Sequence, residues 1–80
     1  MRLPIRNHTE KPLGLFIEPI FNEYEIPPGG EAIVTLEDGN PHSIDVHDGA
    51  VTVWNEGPEP VSVVVRPTAM SAGGPGLQKI

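Results

Sequence analysis

The sequence predicts an all-β domain. Three observations carry that expectation: apolar residues alternate in short runs, no run holds a 3.6-residue period for three turns, and ten prolines and nine glycines punctuate the chain. The runs are Leu3 to Asn7, Leu13 to Glu18, Asn22 to Ile26, Ala32 to Glu37, His42 to His47, Ala50 to Asn55 and Val61 to Arg66. About seven strands at this spacing fit a small antiparallel β-sandwich, immunoglobulin-like in general plan, with a small β-barrel as the alternative.

The first two runs and the last two resemble each other. Ile5-Arg6-Asn7 followed by Pro12-Leu13-Gly14-Leu15-Phe16-Ile17-Glu18-Pro19 aligns without gaps on Val53-Trp54-Asn55 followed by Pro60-Val61-Ser62-Val63-Val64-Val65-Arg66-Pro67. Each copy is a strand ending in Asn, a short tip, a Pro and a strand ended by Pro. Read as hairpins, they set Ile5 opposite Leu15 and Val53 opposite Val63. The same hairpin is thus expected twice, as packed counterparts in two sheets.

Between the second and third runs, Ile17 opposite Tyr24 would also set Glu18 against Glu23, and directly opposed like charges destabilise a strand pair. A crossing between sheets is therefore expected there, which favours a sandwich over a barrel. The loop from Pro27 to Glu31 puts Tyr24 opposite Val34 and Ile26 opposite Ala32. Gly39-Asn40-Pro41 lets Leu36 face Ile44 and Val34 face Val46. Asp48-Gly49 is a two-residue hairpin turn, pairing Val46 with Val51, Ile44 with Val53, Asp45 with Thr52 and Ser43 with Trp54. The expected core is Ile5, Leu13, Leu15, Ile17, Tyr24, Ile26, Val34, Leu36, Ile44, Val46, Val51, Val53, Val61, Val63 and Val65. Residues 1–66 are expected to form one β domain, and 67–80, with small residues and no period, a flexible C-terminal tail.

At 80 residues the chain buries only about 60 to 65% of its unfolded surface. With no cysteine, neither a disulfide framework nor a thiolate zinc site can reinforce it. The N-terminus has no apolar leader, and the longest apolar runs are three residues, so a cytoplasmic protein is expected. The formal net charge is −6, and every acidic residue but Glu10 lies between Lys11 and Arg66, a span without Lys or Arg. Nucleic acid and anionic membranes, which demand basic patches, are not expected partners.

Candidate chemistry is sparse. Asp45 and His47 share one strand face and are the weak candidates for a metal, yet His42 points to the opposite face, and a site needs three or four converging ligands. The serines lack a nucleophile context, and the carboxylates have no evident cleft. Asn7-His8-Thr9 matches the glycosylation pattern, read here as coincidence without a secretory leader. The clearer functional signal is apolar residues on the face opposite the core: Trp54 beside Ser62 with Val64 diagonal to it, and Phe16 with Arg6 in the echoing strands. Aromatic and Arg side chains are favoured at interface centres.

Asn7, Pro12-Leu13, Leu15, Ile17-Glu18-Pro19, Glu23-Tyr24, Pro27-Pro28-Gly29-Gly30 and Thr52-Val53-Trp54 together resemble a group of short uncharacterised bacterial all-β proteins over residues 3–66. That resemblance implies no activity. Immunoglobulin-like sandwiches are similar in strand plan only, and a blue-copper role is excluded because its Cys ligand is missing.

The expected function is thus a non-catalytic binding or assembly module with no cofactor, acting on a protein partner or forming a homo-oligomer. Its interface candidates are Trp54, Phe16, Val64 and Arg6. A small-ligand or carbohydrate binder, with Trp54 and Tyr24 stacking on sugar, is the alternative; a metal-dependent enzyme using His47 and Asp45 is the second.

Overall fold

The computed structural model describes residues 1–68. Its strands are β1 (Arg2–Arg6), β2 (Leu13–Glu18), β3 (Asn22–Ile26), β4 (Glu31–Thr35), β5 (His42–His47), β6 (Ala50–Asn55) and β7 (Ser62–Arg66). They agree with the alternating runs to within a residue or two at each end. A three-stranded sheet, β1-β4-β7, packs on a four-stranded sheet, β3-β2-β6-β5. Among the described residues each sheet keeps two open edges, so this is a small β-sandwich and not a closed barrel. The expected tail beyond Thr68 lies outside the described residues.

One pairing departs from an antiparallel plan. β2 and β6 run parallel, with Leu15 beside Val51 and Ile17 beside Val53. This adjacency joins the two hairpins β2–β3 and β5–β6 into one sheet and places the inward residues of both central strands in the middle of the core. Leu15, Ile17, Ile26, Ala32, Val34, Leu36, Val51 and Val53 form the buried cluster. Met1, Leu3, Ile5, Leu13, Ile20, Tyr24, Val61, Val63 and Val65 pack around it. Full burial of each large aliphatic side chain stabilises the fold by about 1.5–3 kcal/mol.

The Asp48-Gly49 hairpin has the expected register from His42–Asn55 to His47–Ala50. Gly49 takes φ +72°, the left-handed conformation that glycine adopts without a Cβ penalty. The β2–β3 junction corrects the expected crossing: these strands form a hairpin with Leu15 opposite Tyr24, Phe16 opposite Glu23 and Ile17 opposite Asn22. A register two residues from the one tested by sequence carries Glu18 past the end of the pairing, so the like-charge clash disappears. Phe21 closes this turn at φ +64°.

The long-range pairings are corrected as well. Tyr24 does not oppose Val34, nor Ile26 Ala32, because β3 and β4 belong to different sheets; for the same reason Leu36 does not face Ile44, nor Val34 Val46. Ile5 with Leu15 and Val53 with Val63 fail likewise, since the chain changes sheet between β1 and β2 and between β6 and β7. β4 instead pairs with both β1 and β7.

Two asparagines build those sheet changes. Asn7 is buried; its Oδ1 accepts the backbone N–H of Thr9 at 2.9 Å, and its Nδ2 donates to the carbonyls of Lys11 and Ile26. Its backbone N–H donates to Gly30 O and its carbonyl accepts from Gly29 N, so the end of β1 also pins the β3–β4 corner. Asn55, buried at the end of β6, repeats the turn: its Oδ1 accepts the N–H of Gly57 and the side-chain amide of Asn40. Asn40 Nδ2 also reaches Pro58 O at 2.8 Å. A Cβ on Gly57 would lie 2.5 Å from Asn40 Cγ, so this approach requires glycine. The echoing segments are thus equivalent corners between sheets, each made by an Asn side chain folding onto the residue two ahead. Burial of the Asn7 amide with both ends bonded also removes it as a glycan acceptor in the folded chain.

Ile44 and Val46 are the two members of the expected core that lie outside it, 48% and 79% exposed. They share the inward face with Val53 and Val51, as their register requires. The opposing sheet has one strand fewer, however, and sets β7 against β3, leaving no strand among the described residues to cover β5.

Candidate functional site

The outer faces of the two sheets have opposite character. On the three-stranded sheet, alternation turns Arg2, Pro4 and Arg6 of β1, Glu31 and Ile33 of β4, and Val64 and Arg66 of β7 outward. Register lines up Arg6, Glu31 and Arg66 in one row. Glu31 Oε2 lies 3.0 Å from Arg6 Nε and Oε1 lies 3.7 Å from Arg66 Nη1, so a buried carboxylate is flanked by two guanidinium groups. The next row is Pro4, Ile33 and Val64, with Ile33 buried between its neighbours and Val64 exposed.

On the four-stranded sheet, the outward residues are Glu23 and Glu25 of β3, Gly14, Phe16 and Glu18 of β2, Thr52 and Trp54 of β6, and Ser43, Asp45 and His47 of β5. No Lys or Arg occurs on these strands. Phe16 sits beside Thr52 and opposite Glu23, with its ring edge over Gly14, where a Cβ would meet Cε2 at 3.4 Å. Trp54 is 38% exposed, lies beside Glu18, and donates its Nε1–H to Asp45 Oδ2 at 3.0 Å. Phe21, 80% exposed, projects from the β2–β3 turn at the end of the sheet where Glu18 and Trp54 pair. A bulky residue with positive φ is uncommon, so this turn holds an aromatic ring in water at a conformational cost.

The expected interface residues therefore separate into two groups. Trp54 and Phe16 share the acidic face, whereas Val64 and Arg6 lie on the opposite side of the sandwich. Trp54 is not beside Ser62, nor Val64 diagonal to it, because β6 and β7 are in different sheets and their outward directions oppose each other. Tyr24, the expected stacking partner of Trp54, packs against the core on the inner face. Sequence reasoning missed Phe21; the Pro19-Ile20-Phe21-Asn22 turn, with two large apolar residues in a connecting segment, was the available signal.

Asp45 and His47 do share the outer face, but each is engaged locally. Asp45 accepts from the Trp54 indole, and His47 Nε2 lies 3.3 Å from Thr52 Oγ1. Nδ1 of His42 lies 3.0 Å from the carbonyl of Asn40. Among the described residues no three His, Asp or Glu side chains gather to hold a metal ion, and no helix is long and apolar enough to cross a membrane. In the loop after β4 the N-terminal ammonium lies 2.6 Å from Asp38 Oδ1, and its hydrogen bond and charge hold that carboxyl below its ordinary value of 3.8. No family model, curated protein or solved structure matches the chain.

Proposed function

We propose that this domain is a non-catalytic binding module that takes a basic protein segment with an apolar anchor on the outer face of its four-stranded sheet. The observation that carries this reading is the exposure of Trp54 on a face whose charged side chains are Glu18, Glu23, Glu25 and Asp45, with exposed Phe21 in the turn at the same end of the sheet. Aromatic side chains supply large contact area at small entropy loss, and the bond from Trp54 to Asp45 already restrains the indole. Surrounding carboxylates select a cationic partner and speed its encounter.

The test is a titration with a synthetic peptide bearing Lys and Arg around one leucine or phenylalanine, against a twin with Glu at the basic positions. The basic peptide should change Trp54 fluorescence saturably, more weakly as salt rises, and the acidic twin should not bind. Trp54→Ala, followed by calorimetry, should weaken binding by about thirtyfold or more at a temperature where the variant is still fully folded. Equal binding by Trp54→Ala, or by the acidic twin, would falsify the assignment. Saturation by a saccharide in place of the peptide would replace it with the small-ligand reading.

A further inference from the structure

Open sheet edges attract other strands because their unpaired N–H and C=O groups face solvent, and this sandwich defends its four edges unequally. Edge strand β1 has Pro4 at its middle, which offers no N–H. Edge strand β3 carries exposed Glu23 and Glu25. β7 is bounded by Pro60 and Pro67 and lies against β3. β5 has no proline, and its single carboxylate, Asp45, is held by Trp54.

The phase of the β5 ladder follows from its turn. A two-residue connection closes on a hydrogen-bonded pair, here His47 with Ala50, so Asp45 and Ser43 in alternation also exchange backbone bonds with β6. The N–H and C=O groups of Ile44 and Val46 are then left on the open edge. These same two residues carry the uncovered apolar side chains of the inner face. Among the described residues, one strand thus has both an unguarded backbone edge and an apolar strip that no other element covers.

We infer that β5 is a self-association strand: a second copy of this chain pairs its own β5 antiparallel about a two-fold axis, joining two four-stranded sheets into one and covering Val46 of both copies. The strand is complementary to itself in one register. Antiparallel neighbours share a face, so the axis falls opposite Ile44, Asp45 or Val46. Centring on Asp45 opposes two carboxylates, which destabilises a pair. Centring on Ile44 sets each Val46 against His42 of the second copy. Centring on Val46 sets the two valines together on the apolar side, leaves Ile44 beside the Asp48 turn of the second copy, and on the polar side places Asp45 opposite His47 of the second copy, twice by symmetry, with an imidazole N–H facing a carboxylate. The contact is smaller than the roughly 1,200 Å² of a standard interface, so the dimer is weak and appears at high concentration.

The experiment is sedimentation equilibrium of the full chain from about 10 μM to about 1 mM. The parent should move from monomer mass toward dimer mass across that range. Val46→Lys, at an exposed position that leaves the unfolding midpoint unchanged, should stay monomeric. Val64→Lys, on the opposite sheet, should behave as the parent. His47→Asp should raise the dissociation constant about tenfold by setting carboxylates against Asp45. A parent that is monomeric throughout, a Val46→Lys chain that dimerises like the parent, or a Val64→Lys chain that alone loses the dimer would overturn the inference. An unchanged constant for His47→Asp would overturn the Val46-centred register.

Discussion

The two edges of the four-stranded sheet, β3 and β5, have the same alternating design but are held in place by different forces. In β3, Ile26 is fully buried and Tyr24 packs against the core, because β7 lies across from it. In β5, the corresponding inward residues, Ile44 and Val46, meet water. What holds β5 is hydrogen bonding: its ladder to β6, Asp45 to the Trp54 indole, and at its start the Asn40 side chain bridging Asn55 and Pro58, with Glu56 N–H on Pro41 O. An alternating pattern therefore specifies a face without guaranteeing burial. Burial requires an opposing strand, and the shorter sheet runs out before β5.

Truncation gives the largest contrast. Ile26→Ala should destabilise by about 2–5 kcal/mol through lost transfer energy and a cavity, while Val46→Ala should stay within about 0.5 kcal/mol. Urea unfolding followed by Trp54 fluorescence measures both, and equal losses would break the comparison. Next in size is Asn55→Ala, which strips the acceptor from Asn40 Nδ2 and the Gly57 N–H and should cost about 1–3 kcal/mol. Hydrogen exchange sharpens that result, because amides of β5 should lose protection before those of β3. The smallest effect belongs to Asp38. Its folded pKa lies below 3.8, so the ammonium pair contributes above that value and is lost as pH falls through the lower one. Asp38→Asn should therefore lower the thermal midpoint slightly near neutrality in low salt. The difference should vanish in strong acid and in high salt, since the carboxylate is exposed.

The candidate site was half legible in the sequence. That Trp54 and Phe16 point away from the core follows from alternation with Val53 and with Leu15 and Ile17, a local property. That Val64 and Arg6 point away in the opposite direction does not, because outward has a meaning only once each strand is assigned to a sheet. Phe21 escaped because it lies in a turn, where neither strand nor helix periodicity assigns a direction. The echo between the Asn7 and Asn55 segments was visible as a string, yet its use as a sheet-to-sheet corner depends on Asn7 reaching Ile26 O and Asn55 reaching Asn40, contacts across 19 and 15 residues.

Sequence alone determined the strands, the inward or outward parity of their residues, the Asp48-Gly49 register and the separation of acidic from basic segments. All of these are set by neighbours within a few positions, through the two-residue period of the pleat and the φ demands of a tight turn. Tertiary structure alone decided the parallel β2–β6 pairing, the sorting of strands into two sheets, the row of Arg6, Glu31 and Arg66, and the exposure of Ile44 and Val46. Strands of like pattern are interchangeable partners in a sequence, and only the joint packing of both sheets around one core selects among them.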